Sequence, residues 1–362
     1  MPIYLDYNAT APIRPEVRDL AIEAMESTGN ASSGHGFGRA ARKYVEDARL
    51  QVADLCGVDS DQVTFNSGAT EGINTVLSHY KEKRVLISAI EHSAVLYAAP
   101  HSEKVAVTKD GIIDLDALET ALKEKQTDLI CVMLVNSETG VIQPVKEAAD
   151  LAHQYGSKIL VDAVQGAGRL DMTMHKLGAD YMALSAHKMA GPQGIGALIT
   201  KKGIDIPRFM LGGGQEKNCR AGTHNNAGIA GMGLAAEIAK AQMKNYETIT
   251  ELRDYLEQQV RSFTNKVVIY GETASRVGNT SNIGLNGMEA QTQLMALDLD
   301  GIAVSSGSAC SSGSFKPSHV LAAMGASETE AKSALRISLG WNTNRSDIDA
   351  FLESYKKILS RV

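Results

Sequence analysis

The chain has 362 residues, of which 44% are hydrophobic and 22% are charged, and its formal net charge at pH 7 is −6. This length and composition are typical of a globular protein with one large and one small domain. The negative charge argues against nucleic acid and anionic membranes as partners, because both attract basic surfaces.

The predicted elements begin with an amphipathic helix at 39–55, whose apolar face carries Ala41, Val45, Ala48, Val52 and Leu55. From about residue 60, short β-branched runs alternate with helical patterns. The predicted strands are 62–67, 84–90, 104–108, 128–136, 158–164, 180–186 and 194–200. The helical patterns between them include 69–82, 114–125 and 144–156. Strands that are apolar on both faces and separated by helices predict a mostly parallel, seven-stranded sheet covered on both sides.

The pattern changes after a second long amphipathic helix, predicted at about 226–263. Four strand-like runs and a closing helix then indicate a smaller α+β unit; they are 266–272, 282–287, 302–308, 335–341 and 346–360. We therefore expect an α/β fold with a large domain at 14–255 and a small domain formed by 1–13 and 256–362.

The turn SGATEG at 67–72 follows the first strand and opens a helix. Its small residues and Thr70 suit a phosphate group, which takes the free backbone N–H groups and the positive end of a helix. A capping turn without a ligand explains the same residues. The turn is not a Walker loop, because no Gly-Lys-Ser/Thr follows it.

Polar side chains also end the next strands, and ligands of parallel sheets bind at those ends. EHSA places His92 there, as a catalyst or as a structural histidine. VNSETG ends the long strand with Asn136 and Ser137, and VDAVQ ends the following one with Asp162 and Gln165. A carboxylate at the end of an apolar strand needs a cation or donor, or else caps a helix.

Lys188, in SAHK, follows the next strand into the same crevice. A lysine there is either a solvated surface residue or, when desolvated, a Schiff-base amine. A phosphate turn at Thr70, an acid at Asp162, a stacking ring at His92 and a lysine amine together suit pyridoxal phosphate. Lys188 would form the imine, and Asp162 would keep the pyridine nitrogen protonated.

Four cysteines, at 56, 131, 219 and 310, lie far apart without a C-x-x-C pair, so we expect neither a zinc site nor a disulfide framework. The first residues lack the regions of a signal peptide, and the apolar run 129–135 is too short to span a bilayer. A reduced, cytoplasmic protein is expected. Cys219 lies beside Arg220, a neighbour that can activate a thiol. Cys310, within SSGSACSSGS at 305–314, is either a functional thiol or part of a linker.

These motifs resemble those of the NifS/IscS-type cysteine desulfurases, pyridoxal phosphate enzymes of the class V aminotransferase group with fold type I. The resemblance runs nearly end to end. Its segments are YLDYNATAP (4–12), NASSGHGFGRAAR (30–42), FNSGATEGIN (65–74), EHSAV (91–95), NSETGVIQPV (136–145), VDAVQGAG (161–168), SAHKMAGPQGIGAL (185–198), RAGTHN (220–225), SSGSACSSGS (305–314) and LRISLGW (335–341).

The resemblance implies cofactor-binding roles for a set of residues at these motifs. Lys188 matches the lysine that forms the imine, Asp162 the partner of the pyridine nitrogen, and Gln165 the donor to the phenolic oxygen. His92 matches the stacking acid–base histidine. The implied phosphate ligands and their neighbours are Ala69, Thr70, Ser185 and His187, with Thr223 supplied by the neighbouring subunit of a homodimer.

The resemblance further implies that Arg336, with Asn136 and Ser137, binds the substrate carboxylate, where a bidentate Arg–carboxylate pair fits. The implied reaction converts L-cysteine to L-alanine. Cys310, on a mobile loop at about 305–318, takes the sulfur as a persulfide and passes it to an acceptor. The acceptor is an iron–sulfur scaffold, a tRNA-thiolation enzyme or a sulfur carrier. No metal site is expected, apart from transient contact of Cys310 with an iron–sulfur cluster.

Other functions remain open at this point. The chain could be a selenocysteine lyase or another class V lyase or aminotransferase, which activity with selenocysteine or with amino-acid/oxo-acid pairs would reveal. It could also be a non-catalytic scaffold or partner subunit, which would purify without colour. Retention of both Lys188 and Cys310 argues against that reading.

Three departures from the family pattern stand out. Ser137 occupies the position of a second asparagine, and Trp341 that of an arginine in the motif SLGR. Because the chain stops at Val362, we expect it to lack the longer tail with which housekeeping relatives dock their scaffold protein. These departures leave some cofactor contacts and the acceptor open.

Overall fold

The computed structural model describes residues 2–206, 208–307 and 317–361. Its strands are β1 (Ile3–Tyr4), β2 (Val63–Asn66), β3 (Val85–Ser88), β4 (Glu103–Val105), β5 (Leu129–Met133), β6 (Lys158–Asp162), β7 (Tyr181–Ser185), β8 (Gly196–Thr200), β9 (Val267–Ile269), β10 (Thr280–Leu285), β11 (Ile302–Ala303), β12 (Ser305–Ser306) and β13 (Ala334–Ser338). Its α-helices are α1 (Pro15–Glu26), α2 (Gly36–Cys56), α3 (Ala69–His79), α4 (Ser93–Leu96), α5 (Leu115–Glu124), α6 (Val145–Gln154), α7 (Met174–Leu177), α8 (Asn226–Gln242), α9 (Tyr246–Phe263), α10 (Ala290–Leu299), α11 (His319–Ala323), α12 (Glu328–Lys332) and α13 (Arg345–Leu359).

The large sheet confirms the predicted α/β fold. Within the described residues it has seven strands in the order β2-β8-β7-β6-β5-β3-β4. The pairs of β3, β4, β5, β6 and β7 are parallel, whereas β8 is antiparallel to both of its neighbours. Consequently β2, β5, β6 and β7 all end at the same edge of the sheet.

The helices cover both faces of this sheet, as the apolar strands require. In β5, Ile130 and Val132 pack in a core with α2, α6 and α8, whereas Leu129 and Cys131 pack in a second core with α3. This alternation follows from the two-residue period of a strand. The predicted apolar face of the helix that begins at Gly36 is buried throughout, which confirms that prediction.

The single helix predicted at about 226–263 is wrong. The structure has two helices, α8 and α9, joined by a 3₁₀ turn at Met243–Asn245. The reason is packing, because α8 buries Met232 in the large core while α9 buries Leu256 in a separate, smaller core. One continuous helix has a single straight axis and does not serve both cores.

The smaller core lies against an antiparallel sheet in the order β12-β13-β10-β9. The run predicted as one strand at 302–308 is divided: β11 pairs in parallel with β1, and β12 pairs with β13. The N-terminal strand therefore joins the second half of the chain. The domain boundaries at 14 and 255 stay a prediction. Within the described residues, no helix is long and apolar enough to cross a membrane.

Candidate active site

A cavity of about 620 Å³ lies at the edge where the parallel strands end, within the size range of about 300–1,000 Å³ for ligand pockets. Most of the predicted site residues line it: Ala69, Thr70, His92, Ser137, Asp162 and Gln165 from the first part of the chain, and Ser185, His187, Lys188 and Arg336 from the second. The convergence expected from parallel strand ends is present in the structure.

The predicted phosphate turn forms one end of this cavity. Gly68 is the N-cap of α3 at φ 153°, a backbone conformation that favours glycine, and the first N–H groups of the helix follow it. Ser185 ends β7, and His187 follows in a 3₁₀ turn. Burial, and to a smaller degree Lys188, lowers the pKa of His187 to about 4, so its ring is neutral at pH 7. A helix N-terminus with hydroxyl groups and a neutral ring suits a phosphate group.

Lys188 lies on the tight turn that follows β7. The turn, Ala186–Met189, ends at Ala190, whose φ of 62° is left-handed. The Lys188 ammonium donates hydrogen bonds to the carbonyl oxygens of Asn8 at 2.6 Å and Ala9 at 2.7 Å. The N-terminal segment therefore holds the lysine in the cavity, away from the solvated position that the sequence left open.

Asp162 ends β6 on the floor of the same cavity. Burial raises the pKa of its carboxyl, while His92, the Val164 N–H and Lys188 act in the opposite direction. Val164 donates to Asp162 Oδ1 at 3.0 Å. A buried carboxylate with cationic neighbours suits the protonated nitrogen of a heteroaromatic ring.

Gln165 is oriented by its hydrogen bonds. Arg169 Nη1 donates to Gln165 Oε1 at 2.5 Å, and the Gln165 amide donates to the Asn8 carbonyl at 3.0 Å. A guanidinium has no acceptor, so it fixes which end of the amide is the oxygen. The NH₂ group of Gln165 keeps a second N–H, which can serve a phenolic oxygen.

His92 is both a helix cap and a cavity residue, so the two alternatives from the sequence are compatible. Its Nδ1 accepts a hydrogen bond from the Ala94 N–H at 3.1 Å at the start of α4. That bond makes Nδ1 the acceptor of the ring and leaves Nε2 to face other partners. The half-buried ring lines the cavity.

Arg336 reaches the cavity from β13 of the small sheet. Its Nη2 contacts Asp6 Oδ1 at 2.8 Å, and its Nη1 donates to the Ser137 carbonyl at 3.3 Å. Its Nε is buried without a hydrogen-bond partner. A buried donor without a partner is costly, and a substrate carboxylate would satisfy it.

Asn136 does not line the cavity, and its surroundings do not support the predicted substrate contact. Its Oδ1 accepts from the N–H groups of Glu138 and Thr139, and its Nδ2 donates to the Ile90 carbonyl. The side chain is fully buried and shapes the turn after β5. Ser137 does line the cavity.

Thr223 is exposed and lies on a separate cavity of about 70 Å³ beside Ser67. Thr223 does not line the main cavity of its own chain, although Ser67 lines both cavities, and its contribution to a neighbouring subunit stays a prediction. Cys310, with the surrounding 308–316, lies outside the described residues.

The other cysteines differ in exposure. Cys56 and Cys131 are buried, and burial raises the pKa of both thiols, that of Cys56 to about 12. Cys219 is partly exposed, and burial raises its pKa too. The activation of Cys219 by Arg220 that the sequence suggested is not present, because the Arg220 guanidinium pairs with Glu71.

These residues fit pyridoxal phosphate. The cavity offers a helix N-terminus for a phosphate, an amide donor at Gln165, a buried carboxylate at Asp162 and an amine at Lys188. The orphaned Nε of Arg336 adds a place for a carboxylate. Sequence reasoning missed Asp6 and Asn8, whose contacts are more than a hundred residues away in the chain.

Comparisons with known proteins show which family the chain resembles. The family model for class V aminotransferases matches residues 3–351. The cysteine desulfurase IscS of Dictyoglomus turgidum is 39% identical over 99% of this chain and 95% of its own length. A cysteine desulfurase of Cereibacter sphaeroides is 37% identical over 99% and 96%.

Solved structures show the same similarity. A NifS-like protein from Rickettsia africae superposes with a TM-score of 0.93 at 36% identity, covering 99% of this chain and all of its own. SspA in complex with cysteine superposes with a TM-score of 0.79 at 29% identity, covering 93% and 98%.

The pH dependence of the free energy of unfolding should reveal the raised pKa of Glu91, a fully buried carboxyl beside the site. Burial, together with the charge of Asp162, raises its pKa to about 8. The folded state then binds the extra proton between the ordinary pKa of about 4.3 and about 8, so stability is lost as the pH rises through this window. Glu91→Gln removes this contribution, and its stability relative to the wild type should increase from pH 5 to pH 8.

Chemical denaturation at a series of pH values measures this difference. The exposed Glu353→Gln on α13 is the matched control and should follow the wild type. A constant offset between Glu91→Gln and the wild type across the window would contradict the assignment.

Proposed function

Since the chain belongs to the class V aminotransferase family, in which its full-length relatives are cysteine desulfurases, we propose that it converts L-cysteine to L-alanine and holds the sulfur on Cys310. It is a pyridoxal phosphate-dependent cysteine desulfurase. The observation that carries the assignment of residues is the convergence of Lys188, Asp162 and Arg336 on one cavity.

Different residues of the chain would bind different parts of the cofactor. Pyridoxal phosphate supplies an aldehyde that binds an amine covalently and a ring that accepts electrons. Thr70, Ser185 and His187 would hold the phosphate, and Asp162 would face the ring nitrogen. Gln165 would donate to the phenolic oxygen.

Arg336 binds the carboxylate of the substrate. Asp6 holds one side of its guanidinium, while the buried Nε remains for the ligand. This contact orients the α-carbon of cysteine towards the amine of Lys188, which takes the α-proton. Orientation of this kind lowers the entropy cost of the reaction.

Sulfur transfer requires a nucleophile, which we assign to Cys310. The Cys310 thiolate attacks the substrate sulfur and forms an S–S bond as the C–S bond breaks. The electron pair of the C–S bond stays with the carbon, which takes up a proton and becomes the methyl group of alanine.

We further propose an acceptor from iron–sulfur cluster assembly, tRNA thiolation or sulfur-carrier pathways, and a reducing, cytoplasmic location. The dispersed cysteines support the location, since Cys56, Cys131 and Cys219 are free thiols. Mass spectrometry of co-purifying proteins identifies the acceptor, and cell fractionation tests the location.

Cys310→Ser should still bind the cofactor and L-cysteine but release almost no sulfide, because the nucleophile is lost while the cavity is unchanged. Cys219→Ser, the matched control, should keep its turnover. After a brief pulse of cysteine, mass spectrometry of the wild type should find the additional sulfur on the peptide that contains Cys310. Sulfur on Cys219, or full turnover by Cys310→Ser, would refute the assignment.

A homodimer with shared sites should show complementation. Thr223→Val lacks the residue given to the neighbour, and Lys188→Ala lacks the lysine, so each variant alone should be nearly inactive. In a mixed dimer, one site combines the intact Lys188 of one chain with the intact Thr223 of the other, and activity should return. A mixture that forms mixed dimers without recovering activity would contradict shared sites.

A further inference from the structure

The predicted phosphate turn contains a carboxylate of its own, Glu71, which the proposed function does not use. Glu71 lies in the first turn of α3 and lines the main cavity next to Thr70. Its Oε2 accepts a hydrogen bond from the Ser67 N–H at 2.8 Å. An anionic side chain therefore occupies the helix end that is expected to hold an anionic ligand.

Arg220 contacts both oxygens of this carboxylate. Its Nε donates to Glu71 Oε1 at 2.9 Å, and its Nη2 donates to Oε2 at 3.3 Å. The side chains are 26% and 10% exposed, so solvent screens the pair only in part. This two-point geometry is specific to a guanidinium.

The charge of Glu71 matters because it competes with a phosphate. Burial alone would raise the pKa of Glu71, but hydrogen bonds from Arg220 and Ser67 outweigh burial and hold the pKa below its usual value. Glu71 is therefore ionised at pH 7. The N-terminus of a helix carries the equivalent of about half a positive charge. This is less than the combined negative charge of Glu71 and a phosphate dianion.

The chain segment that carries Arg220 is itself firmly anchored. Three successive residues, Glu216, Lys217 and Asn218, have left-handed φ values of 45°, 55° and 67°. Strain of this kind persists only where the surroundings impose it.

The anchor of this segment is the buried Glu216 carboxylate. It accepts two hydrogen bonds from Arg49, at 2.7 and 2.8 Å, and one from the Phe65 N–H at 2.8 Å. His224 contacts it at 2.9 Å. Arg220 and Thr223 lie between Glu216 and His224, so their positions are set by this network.

We propose that Arg220 is a positioning residue that neutralises Glu71 and thereby allows the turn before α3 to bind a phosphate monoester. The inference rests on the proposed function, because it assigns the phosphate of the cofactor to this turn. It also gives the Arg220–Glu71 pair a second effect: the pair ties the segment that contains Thr223 to the phosphate turn.

The test removes the charges of Arg220 and Glu71 in turn and measures the affinity for two ligands. The full-length chain, freed of cofactor, is titrated with pyridoxal phosphate and with pyridoxal, which has no phosphate. Arg220→Gln should weaken pyridoxal phosphate about tenfold, because it exposes the ligand to an uncompensated carboxylate. The affinity for pyridoxal should stay within about twofold of the wild type, because this ligand has no phosphate for the Glu71 carboxylate to repel. The double variant Arg220→Gln/Glu71→Gln should recover the affinity for pyridoxal phosphate.

Two controls separate charge from shape. Arg220→Lys keeps the positive charge and should bind pyridoxal phosphate nearly as well as the wild type. Arg18→Gln removes a guanidinium from an exposed pair with Asp19 and should change neither affinity.

Equal losses for both ligands, with no recovery in the double variant or in Arg220→Lys, would show that Arg220 only supports the fold and would overturn the inference. A wild-type chain that binds neither ligand would overturn the proposed function together with this inference. If the wild type binds pyridoxal phosphate but the variants of Arg220 and Glu71 do not show the expected loss and recovery of affinity, only the inference is overturned.

Discussion

The buried hydrogen bonds of Asn8 are the interaction on which the site depends. The Asn8 carbonyl accepts from Lys188 at 2.6 Å and from Gln165 at 3.0 Å, both in the large sheet domain. Its side chain contacts Thr280 at 2.9 Å and Asn279 at 3.0 Å at the start of the small sheet. One residue near the N-terminus thus joins Lys188 to the sheet that carries Arg336. Because Asn8 is only 2% exposed, the loss of one partner would leave a buried polar group unsatisfied.

Burial determines which groups near Asn8 and the cavity are charged. Charged groups far from water need partners, and Arg336 finds one in Asp6 as Glu71 does in Arg220. Groups with less compensation stay neutral, as His187 does with its pKa lowered by burial to about 4. Glu138 shows an intermediate case, because burial raises its pKa to about 7 against the hydrogen bond from Ser318 and the charges of Arg336 and His92. Arg336 therefore lies near both a paired carboxylate, Asp6, and a buried carboxyl with a raised pKa, Glu138.

The sequence predicts the sheet and most of the cavity, because both follow from local patterns. Apolar runs give the strands, and parallel strands bring their ends together, so Asp162 and Lys188 could be placed beside one another. Contacts between distant segments leave no such pattern, which is why Asn8 and the Glu71–Arg220 pair were not foreseen. Asn136 was placed in the site by resemblance, yet its amide is engaged with the turn after β5. Cys219 shows that a neighbour in sequence is not a partner in space, since Arg220 points to Glu71.

The central claim is that Lys188 is the residue to which the cofactor is attached, and chemical trapping tests it most directly. Borohydride reduction of the purified holoenzyme, followed by digestion and mass spectrometry, locates the lysine that carries the reduced cofactor. The account predicts the modification on the peptide that contains Lys188, and no covalent attachment in Lys188→Ala, which should remain folded. Attachment to a different lysine in the wild type would contradict the assignment of the site.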